Sequence, residues 1–267
     1  MKMNEMSIAQ IQYLKSQRQH KQIVLVSRIL LLVGFLGLWE LSASLGWIDS
    51  FIFSSPSKVA LCFWEMVLDK SIFLHVGITL YETITSFLLV TLVSLQFTIL
   101  LWFSKKLAEI LEPFLVVLNS LPKSALAPLL IVWLGATPKT IIIAGMSVAI
   151  FGCILNLYTT FQSTDKDSIK LIYTLRGKPY HALTKVVIPG AIPAIISNMK
   201  VNIGLCLVGV IIGEFLAARN GLGYLIIYSS QVFKMDWLLM SIVILCILAM
   251  GLYALINFIE KLYQKYF

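Results

Sequence analysis

The chain has 267 residues, 59% hydrophobic and 13% charged, with a net charge of +8 and a mean hydropathy of +0.89. A soluble domain carries about a quarter charged residues, so this composition excludes an ordinary soluble fold and places most of the chain in lipid. The positive balance does not indicate nucleic acid, because no Lys/Arg cluster is interleaved with aromatics as a single-strand groove requires.

Residues 1–22 form a polar, basic segment that includes Lys15, Arg18 and Lys21, and residues 23–267 form the transmembrane region. The first span covers about 23–41; it is too long for the apolar core of a leader peptide, and "ELSASLGW" is a weak cleavage site. The segment from Gly46 to about Leu74 contains "SSPSKVALCFWEMVLD", where Ser55 before Pro56 predicts the N-cap of a short amphipathic helix on the outer surface. Spans follow at about 80–103, 112–134, 139–161, 190–214 and 237–259, the third carrying Lys123 and the fifth Lys200. The runs are continuous rather than alternating, which excludes barrel strands. The sequence therefore predicts an all-α membrane protein of six transmembrane helices. With the N-terminus inside, thirteen Lys and Arg lie in cytoplasmic segments against five outside. Both termini and the long loop 162–189 are then cytoplasmic.

Polar groups inside the spans carry the chemistry. In "LNSLPKSALAPLL", Asn119 and Ser120 precede Lys123 by four and three residues, on or beside its face. They form a polar stripe along a solute path, or Lys123 snorkels to the interface; both readings stand. "GATPKT" lacks the second glycine of a phosphate loop, Pro138 standing in its place, and reads as a turn. Glu214, in "GVIIGEFLAARNG", is an interfacial carboxylate or part of an outer gate. Arg28 and Lys200 are expected to snorkel, and Glu40 and Glu82 to lie near the outer boundary. "NGLG" reads as a turn. Cys62, Cys153, Cys206 and Cys246 are scattered and read as small core residues. His20, His75 and His181 have no metal or triad spacing, and no catalytic pair is visible, so no enzyme, metal site or cofactor site is expected.

The loop reads as two short helices from Asp165 to Val187. Ile169, Ile172, Tyr173 and Arg176 share one face of the first. Gly177 and Pro179 end it, and Tyr180 to Val187 form the second, entering the membrane at "IPGAIP". A plain connector would be shorter; this is a basic knob suited to docking another protein.

"TKVVIPGAIPAI", "SLPKSALAPLLIVWLG" and "GEFLAARNGLGYLI" resemble, in order and spacing, segments of type I ABC importer permeases of the nitrate/sulfonate/taurine branch, over about Phe53 to Lys261. The loop then corresponds to the family's cytoplasmic EAA loop, whose glycine stands thirteen residues before the proline of an L-P pair. Here Arg176 occupies that position, with Gly177 one residue later, and Lys170 to Ile172 replace the acidic and small residues. The resemblance implies the type I importer permease fold with a coupling-helix loop, in a bacterial cytoplasmic (inner) membrane. It also implies a second permease copy, an ABC ATPase in two copies that binds ATP and Mg, and an extracytoplasmic solute-binding protein. Arg176, Gly177, Lys178, Tyr180 and His181 are then ATPase contacts, with Gly177 supplying the turn. Asn119, Ser120, Lys123 and Glu214 belong to the pathway or gate of a small anionic solute such as a sulfonate, nitrate or a thiamine-pyrimidine precursor. A stand-alone secondary transporter or channel is the alternative; it would need coupling-ion carboxylates or a selectivity ring, neither of which is visible.

Overall fold

Backbone that crosses hydrocarbon must satisfy its own hydrogen bonds, which favours helices over any open strand. The structure, a computed structural model, describes residues 8–266, with side chains over 16–263, and its regular elements are all helical. The described residues up to Cys62 and those from Phe63 onward form two compact units. In the first, α1 (Ile8–Ser44) leads to the single turn α2 (Ser50–Phe53), capped by the Asp49 carboxylate accepting from Phe51 N at 2.8 Å. The Glu40 carboxylate accepts from N and Oγ of Ser57, at 3.0 and 2.8 Å, in the first turn of α3 (Pro56–Leu68). Glu40 therefore acts as a helix-capping group.

The second unit contains α4 (Ser71–Phe103), α5 (Lys105–Ser120), α6 (Lys123–Leu134), α7 (Pro138–Gln162), α8 (Lys166–Thr174), α9 (Pro179–Ala182), α10 (Ile188–Ala217), α11 (Leu222–Gln231) and α12 (Met235–Tyr266). Its centre is α4, α7 and α10. In lipid, helices gain little from burying apolar surface, so they associate where small residues let backbones approach. A Cβ on Gly145 would lie 2.6 Å from Ser86 Oγ and 2.8 Å from Val210 Cγ2; one on Gly209 would lie 2.8 Å from Gly145 Cα. Ser86 Oγ lies 3.0 Å from the Ile142 carbonyl and donates to it, adding a hydrogen bond between α4 and α7. Phe87, Val90, Ala149, Cys153, Ile203 and Cys206 fill the core between these contacts. Cys246, by contrast, is exposed on α12. Large apolar side chains such as Leu88, Leu92, Val201 and Val208 point outward, as lipid-facing residues do.

The third span is not continuous. Leu121 precedes a proline, and the Pro122 ring drives it out of the helical region, to φ −62° and ψ 141°. α5 and α6 consequently meet at a 95° elbow. Ala108 and Leu115 of α5 cluster with Tyr158 and Ile154 near the end of α7, whereas α6 finishes three residues before α7 begins. The bent pair thus returns the chain across the bundle and counts as one broken span. Thr137 Oγ1 caps α7 by accepting from Thr140 N at 3.4 Å, and Thr140 Oγ1 donates to Gly135 O at 2.6 Å. "GATPKT" is accordingly a helix-capping turn.

Lys200 does not snorkel. Its Nζ pairs with the Glu260 carboxylate, donates to Asn257 Oδ1 at 3.1 Å and lies 5.8 Å from the centre of the Tyr253 ring. The partners on α12 neutralise the charge in place, so it has no reason to reach for the interface.

Candidate functional site

Three places collect the polar chemistry of the second unit. The first is the loop after α7. Asp165 caps α8: its carboxylate accepts from Ser168 Oγ at 2.6 Å and from the amides of Asp167 and Ser168 at 3.1 and 3.0 Å. The Ser168 hydroxyl, with the two amides, holds the carboxyl below the usual carboxylate range. α8 closes when Gly177 N donates to Ile172 O at 2.8 Å and Arg176 N to Tyr173 O at 2.9 Å. That pattern places the intervening residue in the left-handed region. The residue is Arg176, at φ 58°, and Gly177 has no positive φ. The expectation that Gly177 supplies the turn, and that Arg176 continues the helical face, is therefore corrected. Gly177 is needed for space: a Cβ there would sit 2.5 Å from Ile172 Cγ2 and 2.7 Å from Ile172 O.

Beyond the turn, Lys178 N donates to His181 Nδ1 at 3.0 Å. Residues Leu183–Val187 form a π turn, with Ile188 N donating to Leu183 O. Pro189 has no N–H and its ring collides with the carbonyl four residues back, and a widened turn accommodates both. The predicted second helix is present but not separate from the span: Pro179 to Ala217 run as one 39-residue helical rod. The inner side of the knob is buried, Leu183 and Val187 packing with Phe161 and Ala191, and Ile169 resting against them. Its outer side exposes Leu171, Leu175 and Tyr180 among Arg176 and Lys178.

The second place is the elbow. Lys123 Nζ folds back to donate to Asn119 O at 2.7 Å and lies 3.4 Å from Asn119 Oδ1. A cation over the unpaired carbonyls at a helix C-terminus meets both their hydrogen-bond need and the helix dipole. The elbow thus brings Asn119 and Lys123 together. Ser120 turns away, donating to Val116 O at 2.9 Å.

The third place lies at the opposite end of the bundle from the α8 loop. Glu214 is fully buried. It accepts from Thr79 Oγ1 at 2.6 Å and from Gly223 N at 2.5 Å, capping α11. Thr79 Oγ1 also accepts from Leu222 N at 2.8 Å, and His75 Nδ1 accepts from Gly221 N at 3.1 Å. The "NGLG" glycines make this possible: Gly221 has φ 119°, and a Cβ on Gly223 would lie 2.8 Å from Glu214 Oε2. Glu82, on α4, is also buried and faces Glu214 of α10, its Oε2 without a hydrogen-bond partner among the described residues. This partner of Glu214 was missed; its signal was a carboxylate inside an otherwise apolar helix.

Residues 91–266 match the family model of the binding-protein-dependent transport system inner membrane component. An ABC transporter permease protein of Haemophilus influenzae is 29% identical over 231 residues, covering 86% of this chain and 94% of its own. A Bacillus subtilis permease named for aliphatic sulfonates transport is 25% identical, covering 89% and 86%. Among solved structures, the inward-facing MetNI methionine ABC transporter shares the fold, with a TM-score of 0.65 at 16% identity over 73% of this chain and 96% of that one.

Proposed function

The chain belongs to the binding-protein-dependent transport system inner membrane component family, the permeases of ABC importers, and from that premise we propose that it forms, with a second copy of itself, the membrane path for a small anionic solute. A separate ATPase, carrying the ATP and Mg, docks on the α8–α9 knob from the cytoplasm. An extracytoplasmic binding protein delivers the solute at the Glu214 end. The observation that carries this reading is the knob itself. Its buried side is welded to the bundle and its exposed side offers Leu171, Leu175 and Tyr180 within a basic rim. Such a surface suits docking by apolar burial with charged steering. Arg176, Lys178 and Tyr180 are then direct contacts, while Gly177 and His181 hold the shape that presents them.

For the solute, aliphatic sulfonates come from the name of the Bacillus subtilis relative, and taurine, nitrate and formylaminopyrimidine from those of other relatives. Lys123, a cation without a carboxylate partner among the described residues, favours the anionic members of that set. The test is co-expression with the ABC ATPase that this reading requires: Leu175→Asp with Tyr180→Asp should abolish co-purification while the chain still inserts in the membrane. Retained co-purification and transport would refute the docking assignment. A thermal-shift panel of sulfonates, nitrate and pyrimidines on the partner binding protein would then identify the solute, since bound ligand raises apparent stability.

A further inference from the structure

A line of polar side chains runs from the elbow to the cytoplasmic loop along the seam of α7 and α10. It begins at Asn119, whose Oδ1 would lie 3.1 Å from a Cβ on Gly152. One turn on, Asn156 is exposed on the same face of α7, and its Nδ2 donates to Asn198 Oδ1 of α10 at 3.5 Å. Thr160 and Ser163 continue that face. With Asp165, Ser168, Pro193 and Ala194 they line a cleft of about 480 Å3 beside α8.

An exposed carboxamide within an apolar span loses its hydrogen bonds if it meets hydrocarbon. Asn156 lies six residues from the end of a 25-residue helix of mean hydropathy 2.2, so its exposure calls for water or a polar guest. The charge along the line sets which guest. At one end stands the ammonium of Lys123, with no ion pair among the described residues. At the other, the Asp165 carboxylate is occupied by the amides and hydroxyl it caps. Between them, the Asn198 amide nitrogen retains its donors.

We propose that this line is the inner half of the solute path: a water-filled lane in which a small oxyanion head passes from Lys123 to the amides of Asn156 and Asn198. It then leaves through the cleft beside α8. This deepens the permease reading and rests on it. It adds Asn156 and Asn198 as solute-contacting residues, and places the exit next to the knob that the ATPase moves.

The test is thiol accessibility in the full chain, in inside-out membrane vesicles, on a Cys246→Ser background because the other cysteines are buried. The probes are the anionic ethylsulfonate and the cationic ethyltrimethylammonium methanethiosulfonates, each rate normalised to that with a small thiol in solution. Asn156→Cys and Asn198→Cys should react with both, the anionic probe roughly tenfold faster, as the field of the nearby Lys123 ammonium predicts. Lys123→Gln should bring that ratio near one, and Val208→Cys, on an outward apolar face, should stay unreactive. Thiols unreactive to both probes would overturn the lane. Equal normalised rates would overturn the anion. Co-purification of the ATPase with the same variants separates the two readings: its retention beside unreactive thiols overturns only the lane, and its failure in the parent chain overturns the permease assembly.

Discussion

Replacing Gly177 with alanine tests how the α8–α9 knob is built. The added methyl would lie 2.5 Å from Cγ2 of Ile172 and 2.7 Å from its carbonyl oxygen. A side chain can rotate away, but the carbonyl is backbone, and it is also the acceptor of the Gly177 N–H at 2.8 Å. Relief therefore means opening the bond that closes α8. One backbone hydrogen bond is worth about 1 kcal/mol and overpacking costs about 1–3 kcal/mol, so the local penalty is on the order of 2–4 kcal/mol. It falls on a helix of nine residues, too short to hold itself together in water. Hydrogen exchange on the detergent-solubilised chain should show lost protection at the amides of Arg176 and Gly177, with that of Gly223 at the other end unchanged. ATPase co-purification and coupled transport should fall while membrane insertion stays normal. Unchanged exchange at Arg176 and Gly177 together with full coupling would refute both the steric argument and the role given to the turn.

Arg176→Gly should act in the opposite direction, relieving a left-handed arginine and tightening α8 by about 1 kcal/mol, read as slower exchange of the Arg176 and Gly177 amides. Lys200→Met leaves the Glu260 carboxylate without its cation and should cost about 2–3 kcal/mol in thermal stability, with Glu260→Leu added to it restoring most of the loss. The α8 cap has a defined pH window. The Asp165 carboxyl is held lower in the folded chain, so its contribution is present above the unfolded value of about 4 and disappears as pH falls through the folded one. Exchange at the start of α8 should accelerate there, and Asp165→Asn should abolish that pH dependence.

Much of this architecture was legible because lipid imposes a strong pattern: uninterrupted apolar runs could be nothing but helices, and the basic loop stood out against them. The elbow was half legible. Pro122 announced a break, but the residue that bends, Leu121, is unremarkable by itself, and the angle depends on how α5 settles against α7. The left-handed residue was hidden because glycine is the usual occupant, and a glycine one place along drew the assignment to itself. Only the spacing to Pro189 pointed at Arg176. Pairings between distant positions left no local trace. Glu82 and Glu214 are on different helices, as are Lys200 and Glu260, and a lone charge in a span looks the same whether it snorkels or finds a partner.

The rod from Pro179 to Ala217 has a thermodynamic consequence. At 1.5 Å per residue its 39 residues reach about 58 Å, with the coupling knob at one end and the carboxylate that caps α11 near the other. If tilting the rod biases the arrangement at one end, the free energy is shared by both. Under the proposed assembly, seating a loaded binding protein against the Glu214 end would then change the affinity of the ATPase for the knob by the same factor by which the ATPase changes the affinity for the binding protein. Under the proposed assembly, binding at the two ends is in that sense two readings of one equilibrium.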